Sequence, residues 1–381
     1  MSSTTLRVVL DQAVAPIPGG IGRYAIELTR ELIATAPRGC DVTGIVPSSP
    51  EADYQRIEAA LPGLGGLYKS ALDRRQLAAA WQHGFTRLPG SGMIHAPSLF
   101  APLYRHDRVN NPGEQIIVTI HDTVPWSHPE TLTPRGVAWH IAMAKRAERY
   151  ADAIVVPTHT VADQLAELLD FGDRVRVIGG AASTTLDPGP SADSRAAELE
   201  LPERYIICVG TIEPRKGIAE LITALALDDA PDLPLMLVGR QGWGDIDVDA
   251  LAAEAGLDEG RVRVLGALDD TALAVALSRA TVAVVPSIAE GFGLPLLEAM
   301  QLGVPTVHSS APALVEVAAG AGLVVDLDPR DEYPQRLAEA LRRVVDDPAL
   351  ADELRVRGRD RAAAYSWHDS AEKTWQLHAD L

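Results

Sequence analysis

Cysteine is nearly missing from this chain: only Cys40 and Cys208 occur in 381 residues. Two thiols that far apart make neither a disulfide framework nor a thiolate metal cluster, which suits a reducing compartment. Long apolar runs are missing too; none reaches the roughly 18 residues needed to span a bilayer. The opening MSSTTLRVVLD lacks the basic-then-apolar layout of a secretory leader, so a cytoplasmic protein is expected. Basic charge is in short supply, with 34 Lys and Arg against 52 Asp and Glu and a net charge of −18. The deficit is uneven. Residues 1–190 carry 17 basic and 19 acidic side chains, whereas residues 191–381 carry 17 and 33. An acidic second half argues against a nucleic-acid partner, because phosphate binding draws on basic surface. The near-neutral first half can still meet an anionic surface. Several motifs are absent: Gly-x-Gly-x-x-Gly, His-Glu-x-x-His, a Cys pair at ligand spacing, and the Gly-x-Ser-x-Gly elbow. Dinucleotide binding, a resident metal and serine-nucleophile hydrolysis therefore lack support.

What the chain does contain is a repeated alternation of short apolar strands and amphipathic helices, the pattern of α/β domains with parallel sheets. LRVVLD (6–11) reads as a first strand and GGIGRYAIELTRELIATA (19–36) as a glycine turn entering a helix. IIVTIHD (116–122), ADAIVVPT (151–158) and VRVIGG (175–180) continue the first sheet. The continuous β-branched run at 116–120 is what a strand buried on both faces needs. Residues 186–203, rich in Pro, Ser, Ala and charge, read as a linker. The alternation then restarts with YIICVGT (205–211), LPLMLVG (233–239), VRVLG (262–266), TVAVVPS (281–287) and VPTVHS (304–309). Two doubly wound domains are expected, 1–185 and 204–360, followed by a terminal helix over 361–381. Open sheets of this kind bind ligands at the carboxyl ends of their strands.

The most demanding stretch is SIAEGFGLPLLEAM (287–300). A strand leads into the loop, Pro295 suits a first helical turn because its missing N–H costs nothing there, and Gly303 stops the helix. The amides of Gly291, Phe292, Gly293 and Leu294 crowd a helix start, which favours a phosphate. Glu290 and Glu298 flank that position, and each can accept bonds from sugar hydroxyls. A nucleoside diphosphate sugar has the matching order of ribose, diphosphate and hexose. First-turn dipole complementation by Glu298 and a solvated Glu290 would be the plainer account. Two carboxylates beside a diphosphate require cations, and Arg215 and Lys216 in CVGTIEPRKG (208–217) can supply them. In the first half, Gly19, Gly20 and Gly22 let backbone approach a ligand. His121 and Asp122 leave the central strand at its carboxyl end, where His121 can meet a transferred sugar; His95 has similar placement and reads as structural. LYKSALDRRQLAAAWQHGFTRL (67–88) looks helical, with Leu77, Trp81, Phe85 and Leu88 on one stripe and Lys69, Arg74, Arg75 and Arg87 nearby. Such a helix can lie on the inner face of a membrane, and a core-facing helix gives the same pattern.

GGIGRY (19–24), TIHDTVP (119–125), VGTIEPRKG (209–217), LVGRQGWG (237–244) and EGFGLPLLE (290–298) together resemble glycosyltransferase family 4, and the last matches that family's Glu–seven residues–Glu element. The resemblance implies the GT-B fold of two facing Rossmann-like domains, and a retaining, metal-independent hexosyltransferase without a cofactor. It implies a nucleoside diphosphate sugar as donor, GDP-mannose or a UDP-sugar, and a hydroxyl of a glycan, glycolipid or small molecule as acceptor. Residue by residue, Glu298 resembles the acid on the ribose and Glu290 the acid on the donor sugar, with the amides of Gly291 to Leu294 on sugar and phosphate. Arg215 and Lys216 resemble the diphosphate pair, Gly20 the loop glycine near the phosphates, and His121 the histidine reaching the transferred sugar. Many relatives carry Arg after the Val-Gly of the second-domain strand. Thr211 stands there in this chain, and Arg215 takes that charge. The final helix of such enzymes packs back on the first domain. A GT-B nucleotide-sugar epimerase and a non-catalytic nucleotide-sugar binding module are the alternatives on the same residues.

Overall fold

A computed structural model describes residues 4–14, 19–108, 110, 111, 113–244 and 246–381. The chain divides into two compact units. Unit 1 comprises residues 1–127, 134–180 and 366–381, and unit 2 comprises 128–133 and 181–365. Among the described residues no helix is long and apolar enough to cross a membrane.

Unit 1 is built on seven parallel strands: β1 (Thr4–Val9), β2 (Cys40–Val46), β3 (Leu67–Lys69), β4 (Met93–Ala96), β5 (Ile116–Thr119), β6 (Ala153–Val156) and β7 (Val175–Val177). Their spatial order is β3-β2-β1-β4-β5-β6-β7. The middle strands β4, β5 and β6 are buried at every position, as expected of strands with helices on both faces. Unit 2 repeats the design with β8 (Ile206–Val209), β9 (Leu235–Val238), β10 (Val262–Gly266), β11 (Val282–Val285), β12 (Thr306–Ser309) and β13 (Leu323–Val325), in the order β10-β9-β8-β11-β12-β13. In each sheet the winding reverses once, at β1/β4 and at β8/β11. Those are the points where a crevice opens beyond the strand ends. In unit 2 the reversal lies below residues 210–217 and 286–294. In unit 1 it lies below residues 10–14, 19, 20 and 97–98.

Three expectations change. The stretch 67–88 is not one helix: Leu67–Lys69 pairs with Gly44–Val46 of β2, and the helix Arg74–His83 begins only at an Asp73 cap. Asp73 accepts from the Gln76 amide while the Gln76 side chain accepts from the Asp73 amide, a reciprocal cap that fixes the start. The apolar stripe faces the core, with Leu77, Trp81 and Leu88 buried and only Phe85 open. That helix therefore offers no apolar face to a membrane. Residues 186–203 do not run as a plain linker, because they contain the helix Ala192–Glu198. Its Arg195 reaches Asp269 at 3.7 Å, and the whole segment lies within unit 2, whose first residue after Gly180 is Ala181. The last segment begins its helix at Trp367 and runs to Asp380. Within unit 1 it is tied by Trp375 Nε1 donating to Leu32 O at 3.2 Å and Ser370 Oγ donating to Gly179 O at 2.7 Å.

Candidate functional site

In unit 2 the loop after β11 runs over Pro286–Gly293 into the helix Leu294–Gln301, which starts one residue before Pro295. Gly293 holds the cap position at φ +94°, a left-handed conformation that favours glycine. A Cβ there would collide with Leu314 Cδ2. The ring of Phe292 is turned inward, edge-on to Tyr365 at 5.6 Å, so only its backbone faces the loop's open side. Glu298, one turn into the helix, is 2 % exposed.

The loop after β8 makes a short turn, Pro214–Lys216, and ends on Gly217 at φ +68° before the helix Ile218–Leu225. The two loops touch through their backbones. Ile288 N donates to Arg215 O at 2.8 Å, and a Cβ on Gly217 would collide with Pro286 O. This contact places the cations on the acid. Lys216 Nζ is 2.5 Å from Glu290 Oε1 and Arg215 Nη1 is 3.3 Å from Glu290 Oε2. Ser287 Oγ donates to Glu290 Oε1 at 2.8 Å. Arg215 Nε is paired with Glu213 Oε1 at 2.7 Å.

Burial of Glu290 would raise its pKa, but the charges of Lys216 and Arg215 and the bonds from Lys216 and Ser287 outweigh burial and hold it at about 2. Cys208, at the end of β8 near the same cluster, is pushed by burial up to about 12. It is a neutral thiol there and no nucleophile. Glu213, Ser287 and Ser309, which donates to Ser287 O at 2.5 Å, are given no role by the sequence analysis. Their only signal is position: Glu213 two residues before Arg215, and the two serines at the ends of β11 and β12.

In unit 1, His121 stands beyond β5 with Nε2 at 2.7 Å from Pro97 O. A carbonyl only accepts, so Nε2 carries the proton and Nδ1 is the acceptor of a neutral ring. Burial lowers the pKa of His121, and Tyr24 packs edge-on against it at 4.8 Å. Asp122 is spent locally, accepting from Val124 N at 3.1 Å. His95 lies inside β4, fully buried, with burial lowering its pKa to about 4; it is a core residue. Gly20 opens the helix Gly20–Ala34, and a Cβ there would meet none of the described residues within 4 Å.

The chain matches two family models: Glycosyltransferase Family 4 over residues 18–185 and Glycosyl transferases group 1 over residues 191–361. It is 29 % identical to O-antigen chain mannosyltransferase B of Escherichia coli, over 93 % of this chain and 94 % of that one. It is 31 % identical to alpha-maltose-1-phosphate synthase of Mycolicibacterium smegmatis, over 94 % and 95 %. The crystal structure of Anabaena HepE in complex with UDP-glucose is similar in fold, with a TM-score of 0.74 at 17 % identity over 99 % of this chain and 100 % of that one. With sheets of seven and six parallel strands and matches along both halves, the chain belongs to glycosyltransferase family 4, a glycosyltransferase of GT-B fold.

Proposed function

We propose that the chain is a retaining hexosyltransferase that takes its sugar from a nucleoside diphosphate donor, GDP-mannose or a UDP-sugar, and passes it to an acceptor hydroxyl. The observation that carries this reading is the cluster of Glu290 with Lys216 and Arg215 at the reversal point of the second sheet. The relatives named a mannosyltransferase and a maltose-phosphate synthase, and the UDP-glucose bound to HepE, support it.

The chemistry follows from charge. Breaking the anomeric bond leaves the electron pair on the diphosphate, and the new negative charge needs fixed cations close by. An ammonium has three N–H donors, so Lys216 can hold Glu290 and still meet phosphate oxygens. Glu290, kept ionised, accepts from hydroxyls of the donor sugar. Glu298 receives the ribose, and the amides of Gly291, Phe292, Gly293 and Leu294 meet sugar and phosphate. His121 accepts a sugar hydroxyl at Nδ1, and Gly20 lets backbone approach the phosphates. The acceptor hydroxyl loses its proton to a departing diphosphate oxygen on the same face of the sugar, which preserves the anomeric configuration.

A thermal-shift screen against GDP-, UDP-, ADP- and dTDP-sugars tests the donor, because a ligand that binds the folded state raises its melting point. One nucleotide class should stabilise the wild type and fail to stabilise Lys216→Ala. Stabilisation that survives in Lys216→Ala would remove the proposed site. A new sugar isomer formed from donor alone would favour the epimerase.

A further inference from the structure

Unit 1 holds a second ion pair on a buried carboxylate, at the same sheet edge as His121. Asp11, two residues past β1, is 3 % exposed, and Arg74 Nε donates to its Oδ2 at 2.9 Å. The strand register places it. Val8 pairs with His95 and His95 with Ile117, so the ends of β1, β4 and β5 lie along one edge, with Asp11 two residues past β1 and His121 two past β5. Two strand spacings separate the ends of β1 and β5, about 10 Å.

The Arg74 guanidinium is fixed on two sides. Asp11 takes Nε, and the face of Phe100 lies 5.4 Å from its central carbon. Among the described residues neither Nη group has a partner, and the side chain is 48 % exposed. At the helix start the reciprocal cap already takes the amides of Asp73 and Gln76. What remains is a forked donor pair at the carboxyl edge of the sheet, anchored at one end by Asp11. Such a fork suits an oxyanion. The ligand must also compete with a carboxylate already in place. A phosphate monoester, carrying about −1.5 to −2 charges near neutral pH, does so where a single carboxylate does not.

We propose that the acceptor of this glycosyltransferase carries a phosphate group, received by Arg74 beside Asp11, with its reacting hydroxyl toward His121. The inference rests on the transferase reading, and its test separates the two. The full chain is first saturated with whichever nucleoside diphosphate stabilises it, which occupies Lys216 and Arg215. It is then titrated calorimetrically with mannose 1-phosphate, mannose 6-phosphate and free mannose. At least one phosphosugar should bind about tenfold or more tightly than mannose, the size of one charge-assisted contact. Arg74→Gln alone strands a buried carboxylate, so the variant of choice is Arg74→Gln with Asp11→Asn, its folding checked by its melting point. The phosphate preference should vanish there, fall in Arg74→Lys, which keeps charge without the fork, and persist in the exposed neighbour Arg75→Gln. No preference in the wild type, or one unchanged in the double variant, overturns the proposal. Failure of every nucleotide to bind, with an Arg74-dependent phosphosugar preference intact, would sink the donor assignment and leave this site standing.

Discussion

The molecule contains the same element twice, a buried carboxylate beside a cation at the reversal point of a parallel sheet, and the two titrate in opposite directions. Glu290 in unit 2 is held at about 2. Asp11 in unit 1 is pushed up by burial to about 6, against the charge and hydrogen bond of Arg74. Both side chains are almost sealed from water. The difference lies in the number and exposure of what faces them. Glu290 has two cations and a serine hydroxyl, all from two loops locked together by backbone contact. Asp11 has one guanidinium, itself half in solvent, where screening weakens the pair. Burial penalises a carboxylate steeply, and a single screened partner does not repay it.

The largest effect comes from breaking the stronger cluster. Lys216→Ala and Glu290→Ala should each lower transfer about 10²- to 10³-fold, the usual loss when one preorganised charge contact disappears. Both should remain folded by circular dichroism. Wild-type turnover in both variants would remove the cluster from catalysis. Lys216→Met sharpens the comparison further. It should make Glu290 resemble Asp11, with its carboxyl resonance titrating well above the wild-type position in a ¹³C NMR titration.

Acid should act on the two pairs with opposite sign. The folded pKa of Glu290 lies below its ordinary 4.5, so the stability it contributes is complete above about 4.5 and drains as pH falls toward 2. A tenfold change in proton affinity between folded and unfolded chain corresponds to about 1.4 kcal/mol, which sets the scale near 3 kcal/mol. The folded pKa of Asp11 lies above its ordinary 3.8. Its burial therefore costs stability above about 6, and that cost fades as pH falls from about 6 and is gone below about 4, on a similar scale. Urea unfolding from pH 8 to 3 should show the wild type gaining on Asp11→Asn as pH falls, and losing ground to Glu290→Gln once pH drops below 4.5. Parallel curves would mean that burial and partners weigh equally at the two sites.

The sequence revealed much of unit 2 and less of unit 1, for a physical reason. β-branched runs such as Val282–Val285 and the Gly-Phe-Gly-Leu-Pro loop after them carry their structure locally, and the turn after β8 displays Arg215 and Lys216 openly. β2 and β4 interrupt their apolar runs with Asp41, Thr43 and His95 and do not stand out as strands. Arg215 and Glu290 meet only when two loops about 70 residues apart are brought into contact, and until then nothing singles out their local partners Glu213 and Ser287. Asp11 and Arg74 meet across 63 positions, and neither the burial of the first nor the stacking of the second leaves a local trace.

The smallest effects separate two glycines that look alike in sequence, each at a strand-to-helix turn. Gly217 is left-handed and pressed against Pro286 O, so Gly217→Ala should destabilise the chain by about 1–3 kcal/mol in urea unfolding and loosen donor binding by parting the two loops. Among the described residues, nothing lies within 4 Å of a Cβ placed on Gly20. Gly20→Ala should then leave stability within about 0.5 kcal/mol of wild type, as at other open surface positions. That silence makes it a clean probe. A methyl group that costs no stability yet lowers transfer obstructs a ligand, whereas unchanged transfer in a folded Gly20→Ala protein would mean that its backbone approaches no phosphate and that the turn serves only to start the helix.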